Sequence, residues 1–184
     1  MKGSGKLTYL ASENALLLRQ ALVVLDHIDA STYGSASHRI GAHLRHILEF
    51  DLCALDGIES HQVDYDRRQR NREIETSPQV ARAVIHRILS RLDLLQETGD
   101  DVLWVAVEDA GDELPDEFML SSISRELQFL RSHTIHHFAL MVPALRAAGV
   151  PLSPQFGVAP STLRYLASNA GQQQTQMEVQ LCAR

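Results

Sequence analysis

Apolar residues recur every three or four positions in four long stretches of the chain, which is the spacing of an amphipathic helix. These stretches predict helices over 11–30, 38–57, about 78–98 and about 122–148. In the first stretch the apolar positions include Leu17, Val24 and Ile28, separated by polar residues. Four helices of this length, each with one apolar face, predict packing around a shared core.

Residues that favour helix ends lie close to the ends of these stretches. Ser77 can cap the third helix, and Pro78 suits its first position because proline lacks the N–H that would lie unpaired there. Gly57 and Gly149 are the predicted stop signals of the second and fourth helices. Pro143 lies inside the fourth stretch, where proline is expected to bend the helix or end it early.

The region between the third and fourth helices has the composition of strands. Residues 101–108 and 117–121 are predicted to form a small hairpin, with Gly111 and Asp112 in its turn. The small, polar segment 31–37 is predicted to be a loop, and the charged segment 61–77 a long surface loop.

The C-terminal part of the chain is less regular. A short fifth helix is predicted over 161–167, after Pro160, and the polar, glutamine-rich residues 169–184 are predicted to be a disordered tail. The sequence as a whole predicts an all-α fold, an antiparallel four-helix bundle in one domain over 1–168, followed by that tail.

Composition restricts the classes of function. The chain has 184 residues and a formal net charge of −6, which argues against nucleic acid as a partner. It contains no apolar stretch of about 20 residues and no recognisable export signal, so we expect no membrane span and a cytoplasmic location. Cys53 and Cys182 do not form the pattern of a disulfide framework, in keeping with a reducing compartment.

The chemistry of the chain is concentrated in its histidines. His133 and His137 are four residues apart, so a helix places both imidazoles on one face. Two such imidazoles can bind one divalent ion, and a third ligand from another helix would complete a set with open positions. His46 on the second helix is the best candidate for that third ligand, and His43 is the alternative.

Neighbouring residues limit this interpretation. His136 points about 100° away from His137 around the helix and does not join the pair. Thr134 stands where a zinc-protease helix carries its general-base glutamate. Cys53 lies two helical turns beyond His46, too far to share one ion. The competing interpretation is that the histidines are partly buried and hydrogen-bonded to carboxylates.

The segments 40–48 (Ile-Gly-Ala-His-Leu-Arg-His-Ile-Leu) and 132–137 (Ser-His-Thr-Ile-His-His) resemble the DinB-like, or YfiT-like, superfamily. The resemblance covers about residues 10–148. It implies a four-helix bundle, often dimeric, in which three histidines bind a divalent metal, and His46, His133 and His137 match that pattern. Some relatives are thiol-dependent S-transferases, so the resemblance implies a metal-dependent transferase acting on a small molecule. The family often continues with Arg-Gly-Gln, where this chain has Phe-Ala-Leu at 138–140.

Charged residues near the histidines are candidates for substrate contacts. Arg68 and Arg70, in the charged loop, could bind a carboxylate or phosphate above the metal, and Arg45 is a third candidate. Glu49 and Glu126 are candidates for groups that support the ligands. The alternative is that the loop is solvated and its arginines pair with its own acids.

Two functions follow from the sequence. The first is a divalent-metal-binding protein with zinc, nickel or iron as the metal, for which the resemblance implies a small-molecule substrate and a homodimer. The second is a non-catalytic helical bundle that dimerises or binds a partner, with its histidines as packing residues. An iron-dependent oxygenase activity is a third possibility.

Overall fold

Three of the four long helices begin within two residues of the positions that the apolar pattern predicts, whereas the first begins at Gly5 rather than at residue 11. The computed structural model describes residues 5–95, 99–107 and 117–169. Its helices are α1 (Gly5–His27), α2 (Ala30–Tyr33), α3 (Ile40–Ser60), α4 (Arg72–Thr76), α5 (Pro78–Leu95) and α6 (Ile123–Ala147), with a further helical segment over 160–169. Its strands are β1 (Gln62–Val63), β2 (Val102–Ala106) and β3 (Phe118–Ser122). The fold is predominantly helical, with one small three-stranded sheet.

The predicted starts of the third and fourth long helices are confirmed. Pro78 is the first residue of α5, and the Ser77 hydroxyl accepts the N–H of Val80 at 3.3 Å. Ser122 caps α6, and its side chain accepts the N–H of Arg125 at 3.3 Å. These contacts satisfy N–H groups that have no partner within the first turn of a helix.

The prediction that Gly57 ends the second long helix is wrong. Gly57 is buried inside α3, and the helix continues to Ser60, with His61, whose φ of 57° is left-handed, as its C-cap. A Cβ built on Gly57 would lie 2.4 Å from the carbonyl oxygen of Gln62. Glycine is required there because β1 passes close to the helix, a contact that no local pattern reveals.

Pro143 does not end the fourth long helix. It occupies an exposed position, and α6 continues past it to Ala147. The helix ends before Gly149, which has a φ of 74° and acts as the predicted stop.

Both predicted loops contain regular secondary structure. Residues 61–77 include β1 and α4, and α4 is capped by Asn71, whose side chain accepts the N–H of Glu73 at 2.9 Å. The segment 31–37 overlaps α2, which Asp29 caps. A two-residue strand and helices of four or five residues are too short to show a periodic pattern.

The predicted pair of strands is present. β2 and β3 pair antiparallel, with Trp104 opposite Leu120. The predicted turn at 111–112 lies outside the described residues. The sequence did not predict β1, which pairs parallel to β2 with Gln62 opposite Trp104.

The four long helices pack so that α3 contacts α5 and α6, and α1 contacts the same two helices. The core lies between them and includes fully buried side chains from each helix: Leu7, Leu18, Leu44, Ile47, Ile85, Ile88, Leu127 and Phe138. Where α3 contacts α6, the histidine-bearing segments of the two helices face each other. None of the helices in the described ranges has both the length and the apolar character needed to span a membrane. Residues 170–184, most of the predicted tail, lie outside the described residues.

Candidate metal centre

Helices α3 and α6 bring three histidines to one point. His46 comes from α3, and His133 and His137 come from successive turns of α6. Each offers one ring nitrogen, and these three atoms lie within 4.8 Å of one another. All three residues are half-buried, so each keeps some exposure to solvent. This arrangement is close enough to bind one divalent ion.

His43 lies beside this cluster rather than within it. Its Nδ1 atom is 3.0 Å from Nδ1 of His137, a hydrogen bond in which one ring donates and the other accepts. A ligand histidine is commonly oriented by a hydrogen bond at its second ring nitrogen. His43 is therefore placed to orient His137, while His46 completes the group of three.

His136 is exposed, and the structure does not bring it into this group. Its ring centre lies 5.4 Å from that of His137, with the two planes nearly perpendicular. Thr134 is buried on the core side of α6. The rotation of about 100° per residue therefore separates His136 from His137, as the sequence predicts.

The surroundings favour the neutral form of the three clustered imidazoles. Burial lowers the pKa of His133 to about 4, and the neighbouring His46 adds to this shift. Burial also lowers the pKa of His137 to about 3, with further contributions from His133 and His46. The pKa of His46 is lowered as well, first by burial and then by Arg68. Neutral imidazoles carry the free lone pair that binding to a cation requires.

Aromatic rings form one wall of the cluster. The Phe50 ring centre is 4.5 Å from that of His133 and 4.6 Å from that of His46. Phe129 stacks on His133 at 5.6 Å. Apolar rings of this kind restrict the rotation of the imidazoles and exclude water from that side.

A buried polar group supports this wall from behind. Glu126 is completely buried, and it accepts hydrogen bonds from the Tyr65 hydroxyl at 2.7 Å and from the Ser121 hydroxyl at 2.5 Å. Tyr65 in turn stacks on Phe50, with ring centres 5.0 Å apart. Sequence reasoning missed Tyr65. The available signal was that an aromatic residue stands alone in a strongly charged loop.

Glu49 and Glu126 do not hydrogen-bond to the three histidines in the described part of the chain. Glu126 binds the groups given above and also pairs with Arg125 at 3.0 Å. Glu49 is buried and accepts the backbone N–H of Asn71 at 2.6 Å. The two carboxylates therefore hold a loop and a strand in position.

The three predicted substrate-contacting arginines have different environments. Arg45 is half-buried and pairs with Glu75 at 3.0 Å and with Glu49 at 3.5 Å. Arg68 is half-buried, with Cζ 4.8 Å from the centre of the Phe50 ring. Arg70 is exposed. Of these three, Arg68 is the one that contacts the aromatic wall of the cluster.

Cys53 does not join the histidines, as its distance along the helix predicts. Its thiol donates to the backbone carbonyl oxygen of Asp64 at 3.1 Å. Burial raises the pKa of this thiol to about 11, so it stays protonated near neutral pH.

A comparison with known proteins gives a partial match. No family model matches the chain, and no solved structure matches it. The chain is similar to FK506-binding protein 5 of Rhizopus delemar, with 32% identity over 106 residues. The match covers 56% of this chain but 27% of that relative, so the chain spans about a quarter of the relative's length. Membership of the DinB-like superfamily therefore stays a prediction.

Proposed function

We propose that this chain is a divalent-metal-binding protein whose ligands are His46, His133 and His137. The observation that carries the proposal is the convergence of three ring nitrogens within 4.8 Å from two helices far apart in sequence. The low pKa values of His133 and His137 support it, since protons do not compete for these nitrogens at neutral pH. Imidazole ligands suit zinc, nickel and iron.

The fold part of the proposal is an antiparallel four-helix bundle of the DinB-like type. It is supported by the packing of α3 and of α1 against both α5 and α6. In bundles of this kind, metal sites are built from side chains on facing helices. A homodimer, which the resemblance implies, belongs to the same proposal.

The reaction we propose is a metal-dependent transfer to or from a small molecule, with a low-molecular-weight thiol as a candidate co-substrate. Three protein ligands leave coordination positions open, and the chemistry that a divalent ion supplies there is a lowered pKa of a bound water or thiol. The protein's own contribution is to hold the imidazoles neutral, to fix His137 through His43 and to exclude water along the Phe50 wall. Because the three histidines are each partly exposed, a small molecule would approach the ion from solvent.

Metal content tests the binding proposal directly. The full chain would be purified without chelator or nickel resin, beside His133→Ala and the matched control His136→Ala from the same helix. We expect about one equivalent of zinc, nickel or iron in the parent and the control, and its loss in folded His133→Ala. An absence of metal in the parent, with no uptake of any of the three ions, would overturn the proposal and favour histidines that serve packing alone.

The transferase proposal needs a separate assay. Metal-loaded protein would be incubated with a low-molecular-weight thiol and an alkylating electrophile, and thiol loss followed over time. We expect turnover above the rate of the free metal ion, and we expect it to disappear in His133→Ala. Metal binding without turnover on a panel of thiols would overturn the thiol-dependent part alone.

A further inference from the structure

The small sheet ends in an exposed apolar strand. The strand order is β1–β2–β3, and within the described ranges no strand pairs with the outer side of β3. Neither β2 nor β3 contains a charged residue. Leu120, at the centre of β3, is 67% exposed, and Met119 beside it is also exposed. Proteins usually protect such an edge with charged residues, proline or a covering segment, so an uncharged edge is typical of a strand that pairs with another chain.

The backbone of β3 offers hydrogen-bonding groups on its outer side. Val107 donates its N–H to the carbonyl oxygen of Glu117, and in this pairing Met119 also lies at a position that bonds to β2. Bonded and non-bonded positions alternate along an antiparallel pair. The N–H and C=O groups of Phe118 and Leu120 therefore point away from β2, toward the free edge. A further strand is the partner that satisfies a row of such groups.

Apolar side chains continue across one face of the sheet to this edge. Val102 and Trp104 share a face because they are two residues apart in β2, and both are exposed. Leu120 lies directly opposite Trp104 and extends the row to β3. Leu103 and Val105, on the other face of β2, are buried against the body of the protein. The apolar row therefore faces solvent rather than the core.

The edge is complementary to a second copy of itself. Antiparallel pairing about a two-fold axis would place the two Leu120 residues opposite each other, where each donates its N–H to the carbonyl oxygen of the other. The Trp104 and Leu120 side chains of both copies would then form one continuous apolar row. No like charges meet in this pairing, although the chain has a formal net charge of −6 that makes copies repel elsewhere.

We propose that two copies of this chain associate through β3 and form a single sheet that is continuous across both copies. The inference rests on the homodimer of the proposed function, to which it assigns a surface, and it does not depend on metal binding. Leu120 is its central residue because the two-fold axis passes beside it.

Sedimentation velocity of the full chain over a dilution series tests this association. We expect a reversible equilibrium between monomer and dimer in the parent. Leu120→Lys and Leu120→Glu each place two like charges opposite each other, so we expect each to raise the dissociation constant by about tenfold or more. Leu94→Lys is the matched control, because Leu94 is 68% exposed on α5, and it should leave the equilibrium unchanged.

A mixture of the two charged variants tests the two-fold contact itself. An equimolar mixture of Leu120→Lys and Leu120→Glu would place opposite charges across the axis, and we expect it to dimerise more tightly than either variant alone. Only folded variants can associate in this way, so recovery of the dimer also shows that both variants fold. Equal dissociation constants for the mixture and the separate variants would contradict a contact between the two Leu120 residues.

Backbone hydrogen exchange gives a readout in the parent protein alone. We expect the N–H of Leu120 to exchange more slowly as protein concentration rises, whereas the N–H of Met119, which bonds to β2, is protected at every concentration. A concentration-independent protection of the Leu120 N–H would show that the chain covers its own edge and would overturn the proposal.

The outcomes separate this surface from the rest of the proposed function. A parent that stays monomeric at millimolar concentration would overturn both the surface and the homodimer. A dimer that Leu120→Lys does not weaken would overturn the surface alone and place the homodimer contact elsewhere. Neither result bears on the metal centre, because the metal content of the same samples is measured separately.

Discussion

The Nδ1 atoms of His43 and His137 lie 3.0 Å apart and join helix α3 to helix α6 by a hydrogen bond. Because Nδ1 of His137 is engaged by His43, Nε2 is the nitrogen left to bind an ion in the metal centre we propose. It also couples the tautomers of the two rings, since one of the two Nδ1 atoms must carry a hydrogen and the other must not. The metal centre we propose therefore depends on a fourth histidine that is not itself one of the ligands.

Replacing His43 tests this dependence. His43→Ala removes the partner of His137, and we expect the affinity for zinc to fall by about 10–100-fold through a less fixed ligand ring. His43→Asn places a polar atom near the position of Nδ1 and is expected to restore part of the loss. Competition with a zinc-sensitive dye measures both. An affinity for His43→Ala equal to that of His136→Ala, the exposed neighbour, would show that the hydrogen bond has no role in binding.

A buried carboxyl group on α3 predicts a pH-dependent stability. Asp51 is buried, and its burial raises the pKa of this carboxyl from 3.8 to about 8. The folded state therefore retains a proton that the unfolded state releases, so stability falls as pH rises from about 4 to about 8 and is constant above that range. Each pKa unit corresponds to about 1.4 kcal/mol, so the fall is on the order of several kcal/mol.

Urea unfolding at a series of pH values measures this slope. We expect Asp51→Asn to flatten the profile and to be more stable than the parent at pH near 8, because its amide does not ionise. Asp56→Asn, an exposed change on the same helix, serves as the control. If the parent and Asp51→Asn have the same pH profile, Asp51 does not retain its proton on folding.

The hydrogen bond between Tyr65 and Glu126 predicts a loss of stability in Tyr65→Phe. Glu126 is completely buried, so removal of the phenol hydroxyl leaves part of a buried carboxylate without its donor. We expect the free energy of unfolding to fall by about 1–3 kcal/mol. Tyr165→Phe, at a position with 65% exposure, should change it very little. Equal stabilities of the two variants would show that the hydrogen bond contributes nothing net.

The close approach of α4 to Gly41 leaves no room for a larger residue at this position of α3. A Cβ built on Gly41 would lie 2.0 Å from the carbonyl oxygen of Glu75, a contact that only a movement of backbone can relieve. We expect Gly41→Ala to lower the free energy of unfolding by about 1–3 kcal/mol. Gly5→Ala, in α1 with no atom within 4 Å of the new Cβ, is the control. A neutral or stabilising effect of Gly41→Ala would show that α4 moves away without loss.

Local patterns in the sequence were enough to place the long helices. Ser77 and Pro78 mark the start of the third long helix, because the backbone groups they suit lie within one turn of them. The spacing of His133 and His137 likewise places both rings on one face, since the helix repeat is a property of neighbouring residues. The sequence also favoured His46 as the third member of this group.

The remaining features depend on contacts between segments that are distant in sequence. The approach of β1 to Gly57, the parallel pairing of Gln62 with Trp104, and the burial of Glu126 beneath Tyr65 have no periodic signature. Whether His46 or His43 meets the α6 pair depends on how α3 is rotated against α6, which is decided by the packing of their apolar faces. The sequence alone determined the helices and the residues each helix carries on one face, because those follow from local geometry. Only the tertiary structure decided which faces meet, because that depends on the packing of the whole core.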